Sequence, residues 1–170
     1  IITPAALQTE AERVAQLHRE EGLTVAVIEQ EKIFNEFSSG TPDASAYRRL
    51  MKMFYDRAEG NENVRPRYLL LFGDGSYNNR KSMEKLHSPE CNMLLTYQSK
   101  TSIDERESFV IEDYFGFLEN NSGEEIKVDK VCLGIGRFPI SSIKNARLVV
   151  DKLYRYVHDK DFSSWKNNIC

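Results

Sequence analysis

The chain has 170 residues, which suits a single domain, or one lobe of a larger unit, that buries a core without disulfides. Hydrophobic residues make up 41% and charged residues 29%, a globular balance that excludes a disordered chain. The formal net charge of −3 argues against a dedicated nucleic-acid binder, and no apolar run approaches the roughly 20 residues of a membrane span.

The first half of the chain alternates between strand and helix patterns. Pro4 suits the first turn of a helix, and apolar residues then recur with helical spacing as far as Gly22. Asp43 is a suitable cap for a second helix, which ends at Gly60. The predicted elements, in order, are the end of a strand at 1–3, a helix over 4–22, a strand over 24–28, a connector with a turn at 38–42, and a helix over 43–60.

The second half continues this alternation. Residues 68–72 are apolar at every position, which is typical of a central parallel strand buried on both faces. A polar loop over 73–79, strands over 93–97 and 131–139, and a final helix begun by Ser141 or Ser142 follow. The apolar stripe predicted for that helix comprises Ile143, Leu148, Val149, Leu153, Tyr154 and Val157. The whole pattern predicts an α/β fold with three layers, a mainly parallel, Rossmann-like sheet flanked by helices.

The turn Gly73-Asp74-Gly75-Ser76 is the first candidate site, because ligands of open α/β sheets bind beyond the carboxyl ends of strands. It is no dinucleotide fingerprint, since Asn78 stands where a third glycine is required. Two interpretations stay open. The turn is either structural, with the Asp74 side chain capping backbone amides, or it lines a ligand site.

The second candidate site is the acidic stretch 101–130, which has nine carboxylates, three basic residues and a local charge of −6. Within it, Glu112 and Asp113 precede the aromatic residues Tyr114, Phe115 and Phe117. Such carboxylates could line a pocket for a cation or bind calcium, although the spacing is not that of an EF-hand. The plainer alternative is a solvated acidic loop.

Histidines and cysteines form no catalytic or zinc-binding pattern in this sequence. Two of the histidines fall inside predicted helices, the cysteines are odd in number, and no Gly-x-Ser-x-Gly motif occurs. The residues concerned are His18, His87, His158, Cys91, Cys132 and Cys170. The chain by itself therefore predicts no catalytic machinery.

Several segments in their order along the chain are similar to those of a known family. They are 33–43, 68–78, 111–118, 133–140 and the helix through 150–156. Together they resemble the gingipain-type cysteine peptidases, and most closely the PorU-like members, cell-surface sortases of the type IX secretion system in Bacteroidetes.

The resemblance implies that residues 1–170 form the first subdomain of a caspase-like peptidase domain. The family's catalytic cysteine and histidine would lie in a second subdomain beyond residue 170, so this chain would contribute no catalytic residue. The chain is then expected to be an excised piece of a secreted or cell-surface protein. Its partners would be that second subdomain and a peptide or protein substrate carrying a C-terminal sorting signal.

The same resemblance implies roles for four residues. Glu112 matches, counting back from Gly116, the position of an aspartate in the specificity pocket of arginine-specific gingipains, with Asp113 beside it. Gly73 and Asp74 would belong to a loop along the substrate cleft. No cofactor would be required, while calcium is implied as a structural ion. The alternatives are a stand-alone α/β module that binds a ligand or calcium, and an inactive peptidase-like scaffold.

Overall fold

A computed structural model describes residues 1–80, 93–101 and 103–159. The described strands are β1 (Ile2–Thr3), β2 (Ile28–Glu29), β3 (Tyr68–Phe72), β4 (Asp74–Gly75), β5 (Met93–Leu94) and β6 (Gly134–Phe138). Four of them form one sheet in the order β2-β1-β3-β6, and every neighbouring pair runs parallel. The other two, β4 and β5, form a separate parallel pair.

Helices cover both faces of the four-stranded sheet. They are α1 (Gln8–Glu20), α2 (Gln30–Phe37), α3 (Ser45–Arg57) and α4 (Ile143–His158), with 3₁₀ turns at Ala5–Leu7 and Asp113–Gly116. One core layer packs α1 and α4 against the sheet, and the opposite layer contains α2, α3 and the turn Asp113–Gly116. This arrangement confirms the predicted α/β fold. Within the described part of the chain, no helix has the length and hydropathy to cross a membrane.

The central strand is β3, as its unbroken apolar sequence predicts. It pairs with β1 on one side and, over all five of its residues, with β6 on the other. Its side chains alternate between the two core layers, with Leu69 and Leu71 in one and Leu70 and Phe72 in the other. A strand covered on both faces needs apolar residues at successive positions, which is the pattern observed here.

The region predicted as a connector contains the helix α2, so that prediction was wrong. Gln30, Ile33 and Phe34 are buried, and Phe37 packs against the same core layer. This i, i+3, i+4, i+7 spacing is that of a helix face, and the segment is short enough to escape notice between two turns. The strand predicted over 24–28 is also misplaced, because β2 comprises only Ile28 and Glu29, which pair with Ile2 and Thr3 of β1.

Two predicted helix starts are formed by polar side chains. The Asp43 carboxylate accepts the Ser45 backbone N–H at 2.8 Å, at the first residue of α3. Ser142, rather than Ser141, caps α4, because its hydroxyl oxygen accepts the Asn145 N–H at 3.1 Å. Both contacts satisfy N–H groups that the first turn of a helix leaves without a partner.

The apolar stripe predicted for α4 is only partly correct. Leu153 and Tyr154 pack in the core layer shared with α1, where Ala146 and Val150 are fully buried. Leu148 is 57% exposed, because it lies about 200° around the helix from Ala146. Ile143, Val149 and Val157 are exposed as well. The helix therefore has an apolar surface in addition to the one it buries.

The turn Asp113–Gly116 packs against β6 and the residues just before it, in the core layer that also contains α2 and α3. Gly116 accepts a hydrogen bond from the Cys132 N–H at 2.8 Å, which draws the turn onto the strand. A Cβ atom on Gly116 would lie 2.7 Å from Val131 Cγ1 and 2.9 Å from Ile135 Cδ1. The close approach of the turn to β6 thus depends on a residue without a side chain.

We expect Gly116→Ala to lower the free energy of unfolding by about 1–3 kcal/mol, the usual cost of overpacking a core. Gly136→Ala on β6 is the matched control, since its Cβ would meet no atom within 4 Å, and it should change stability by less than about 1 kcal/mol. Urea denaturation of the two variants measures both effects. Equal losses would contradict the contact between Gly116 and β6.

Candidate functional site

The carboxyl ends of β3 and β6 lie side by side and continue to interact beyond the ladder. The Gly73 N–H donates to the Phe138 carbonyl at 3.1 Å, and the Asp74 N–H donates to the Ile140 carbonyl at 3.2 Å. This edge is where an open α/β sheet binds its ligands. The candidate functional site is therefore built on the segments that follow β3 and surround Arg137 of β6.

The turn Gly73-Asp74-Gly75 differs from the polar loop predicted for it. Asp74 and Gly75 form β4, which pairs with Met93 and Leu94 of β5. The Asp74 carboxylate accepts the N–H of Gly75 at 2.9 Å. Asp74 therefore caps a backbone amide, as expected if the turn is structural. The role of Gly73 and Asp74 in a substrate cleft stays a prediction.

Arg137 lies at the centre of this edge, and its side chain is 12% exposed. Its Nη1 donates to the carbonyls of Gly73 and Asp74, each at 3.2 Å, and its Nη2 donates to the Leu95 carbonyl at 3.2 Å. Nε and Nη2 donate to the two carboxylate oxygens of Glu112 at 2.8 and 3.1 Å. All five guanidinium N–H groups thus have acceptors.

Sequence reasoning missed Arg137. The available signal was a single cation inside an otherwise apolar strand, in a chain whose preceding 30 residues carry an excess of carboxylates. A charge in such a strand requires a buried partner. The sequence does not say which of the nearby carboxylates is that partner.

The adjacent carboxylates Glu112 and Asp113 have different surroundings. Glu112 is ion-paired with Arg137 through both oxygens, and its side chain is 28% exposed. Asp113 is exposed and makes no hydrogen bond or ion pair with the described residues. The Asp113 carboxylate is therefore accessible, whereas the Glu112 carboxylate is held in an internal ion pair. Their predicted contact with substrate stays a prediction.

The aromatic residues after this pair belong to the core, and the cation beside Tyr114 is the chain's own Arg48, whose guanidinium carbon lies 5.3 Å from the ring centroid. Phe115 and Phe117 are buried, and Phe115 packs against Tyr47 of α3 with ring centroids 5.5 Å apart. Tyr114 is stacked on Tyr97, with centroids 3.4 Å apart and planes at 6°. Burial raises the pKa of Tyr97, and the neighbouring Tyr114 phenol raises it further, so Tyr97 is neutral at physiological pH.

Side-chain hydrogen bonds hold the segment after β4 against the segment after β5. The Asn79 side chain donates to the Thr96 carbonyl at 2.7 Å and accepts the Thr96 N–H at 3.1 Å. The Thr96 hydroxyl donates to the Ser76 carbonyl at 2.8 Å. Because side chains satisfy the backbone here, ladder pairing ends at Leu94, short of the strand predicted over 93–97.

Local contacts occupy several carboxylates of the acidic stretch. Asp129 accepts the backbone N–H groups of Gly123 and Glu125 at 2.6 and 3.1 Å. Glu124 is paired with Lys100, and this hydrogen bond raises the pKa of the lysine and lowers that of the glutamate. Among residues 1–80, 93–101 and 103–159, no three His, Cys, Asp or Glu side chains are grouped to hold a metal ion. The calcium expectation stays a prediction.

The described histidines have local partners, as expected of residues placed by their helices. His18 Nδ1 is 2.9 Å from a Glu21 carboxylate oxygen, and His158 Nδ1 is 2.9 Å from the Tyr154 carbonyl oxygen. Cys132 is half-buried. The predictions on His87, Cys91 and Cys170 lie outside the described residues.

Comparison with known proteins gives a family and a structural neighbour. The model of peptidase family C25 matches residues 1–170. The crystal structure of dimeric latent PorU from Porphyromonas gingivalis matches the whole chain with 41% identity and a TM-score of 0.82. The match covers 16% of the PorU chain, so this chain spans about one sixth of that protein's length. No match was found among curated proteins.

We expect Asn79→Ala to destabilise the protein by about 1–3 kcal/mol, because the buried backbone of Thr96 would lose both of its partners on that side chain. Asn78→Ala is the neighbouring control, since the exposed Asn78 side chain accepts, within the described part of the chain, just the Arg80 N–H. Urea denaturation compares the two variants. A loss for Asn78→Ala as large as that for Asn79→Ala would contradict the assignment.

Proposed function

The chain belongs to peptidase family C25, and from that membership we propose that it forms one wall of the substrate cleft in a gingipain-like cysteine endopeptidase. The observation that carries the proposal is the match to PorU at 41% identity over the whole chain, together with a carboxyl edge built from polar, hydrogen-bonded segments. That edge is the position from which an α/β lobe meets a ligand.

The proposed chemistry divides the work between two subdomains. A cysteine thiolate in a following subdomain attacks the scissile carbonyl, while a histidine takes the thiol proton and later gives a proton to the leaving amine. Water then hydrolyses the acyl-enzyme. This chain supplies no group to those steps. It holds the peptide against the attacking sulfur, and such positioning is itself a large contribution to rate.

Two features of the described residues support a second subdomain as partner. In this part of the chain β6 has β3 as its only ladder partner, so its other edge offers unpaired backbone groups. The adjacent helix α4 exposes a set of large apolar side chains, namely Ile143, Leu148, Val149, Tyr156 and Val157. An edge strand beside an exposed apolar helix surface is suited to a neighbour that extends the sheet and covers the helix.

For substrate, we propose the C-terminal sorting signal of secreted cargo, processed at the cell surface by a PorU-like sortase. The segments proposed to line the cleft around it are the one that contains Glu112 and Asp113 and the one that contains Gly73 and Asp74. Arg137 joins these two segments directly. A structural calcium ion belongs to this proposal too, with the acidic stretch as its region.

The test is hydrolysis of sorting-signal peptides by the full-length protein that contains this chain. We expect cleavage that disappears when a matched sample is alkylated at its thiols, because the attacking group is a thiolate. The 170-residue chain alone should cleave nothing. Absence of cleavage by the full-length protein, shown to be folded by circular dichroism, would favour an inactive scaffold over a peptidase.

A further inference from the structure

We propose that Arg137 is a positioning residue of the cleft wall and that it removes Glu112 from the selection of substrate side chains. The proposal rests on the proposed function, and it concerns whether the cleft wall of that peptidase binds a cationic side chain of the substrate. Three observations support it. Arg137 has five N–H donors, their acceptors come from segments that are far apart in the sequence, and Glu112 is ion-paired with Arg137 whereas Asp113 is exposed.

Arg137 joins segments that are remote in the sequence. Its acceptors on Gly73, Asp74, Leu95 and Glu112 lie 64, 63, 42 and 25 residues away along the chain. These acceptors belong to the end of β3, to β4, to the segment after β5 and to the segment before the turn Asp113–Gly116. One side chain therefore fixes the relative positions of these four segments of the edge.

The site is shaped for a guanidinium group. Three carbonyl oxygens and a carboxylate converge on it, and only arginine has five donors in a fixed plane to satisfy them together. Gly75 provides the space, since a Cβ atom there would lie 3.2 Å from both Arg137 Cζ and Nη1. A lysine ammonium has three donors and would leave acceptors unpaired.

This arrangement determines what Glu112 can bind. Both of its oxygens already accept from Arg137, so a cationic substrate side chain would have to displace an internal guanidinium that is 12% exposed. That displacement would leave a poorly solvated cation without its counter-ion, which is strongly unfavourable. Glu112 thus acts on the wall through Arg137, whereas the exposed Asp113 keeps its carboxylate for other partners.

The first experiment measures positioning without any catalysis. Hydrogen exchange of the full-length protein is followed by mass spectrometry for Arg137→Met and for the control Arg155→Met. Among the described residues, the Arg155 guanidinium donates to the Asp151 carbonyl within α4. We expect peptides covering 73–80, 93–98 and 107–118 to exchange about tenfold faster or more in Arg137→Met alone. Unchanged exchange in these peptides would overturn the positioning role. If Arg137→Met does not fold, Glu112→Gln is measured in its place, with faster exchange expected over 107–118.

The second experiment measures selection with two peptides that differ only in having arginine or glutamine before the scissile bond. For Glu112→Gln in the full-length protein, we expect the ratio of the two kcat/KM values to stay within about twofold of the wild-type ratio. A loss of about tenfold or more confined to the arginine peptide, and expressed in KM, would overturn the proposal. Asp113→Asn is the comparison variant, because it removes the exposed carboxylate of the same segment, which is accessible to substrate.

The two experiments separate this inference from the function on which it rests. Wild-type protein that cleaves neither these peptides nor a sorting signal would overturn the proposed peptidase and, with it, the statement about selection. The exchange result still decides whether Arg137 positions the edge. Cleavage by wild type combined with an unchanged ratio in Glu112→Gln supports both the function and the inference.

Discussion

The structure of the carboxyl edge depends on one largely buried cation, the guanidinium of Arg137. The carboxyl ends of the parallel strands lie at the same edge of the sheet, and here the carbonyls of Gly73, Asp74 and Leu95 all accept from this one group. Without a donor at that point, three partly buried acceptors would be unsatisfied and would repel the Glu112 carboxylate as well. Arg137 turns this repulsion into attraction, so the loops after β3 and β5 and the segment before the turn Asp113–Gly116 can lie together.

That arrangement also depends on how closely the turn Asp113–Gly116 packs against β6. The axis of a helix packed on a sheet lies about 10 Å from the sheet, so the helix backbone does not touch the strand. The turn Asp113–Gly116 lies much closer, because Gly116 lets the backbone touch Val131 and Ile135. Phe115 then anchors the turn in the core beside Tyr47. Glu112 consequently reaches Arg137 along the strand, and Asp113 is left at the surface.

The sequence predicts those parts of the fold that depend on local pattern. The apolar run at β3, the polar caps at Asp43 and Ser142 and the alternation of strands and helices were each readable from a few adjacent residues. The helix α2 was missed because eight residues between turns give only two helical repeats. The position of Leu148 on α4 was misjudged because apolar character alone does not distinguish a core face from a second exposed face. Arg137 could not be assigned at all, since its partners lie 25 to 64 residues away and three of them are backbone carbonyls that any residue type could supply.

The hydrogen bonding at this edge has consequences for the peptidase cleft proposed above. Because every guanidinium donor of Arg137 is already satisfied, the wall has no spare strong donor there to bind a substrate carboxylate, and its paired Glu112 has no spare charge for a cation. The features that remain available to bind a substrate are the shape of the edge, the exposed carboxylate of Asp113 and the backbone groups of the surrounding segments. A rigid wall loses little conformational entropy when a substrate binds, so its binding energy can be used to align the scissile bond. In the cleft proposed above, a lobe that contributes no catalytic residue would in this way influence both the rate and the specificity of the chemistry performed by its partner subdomain.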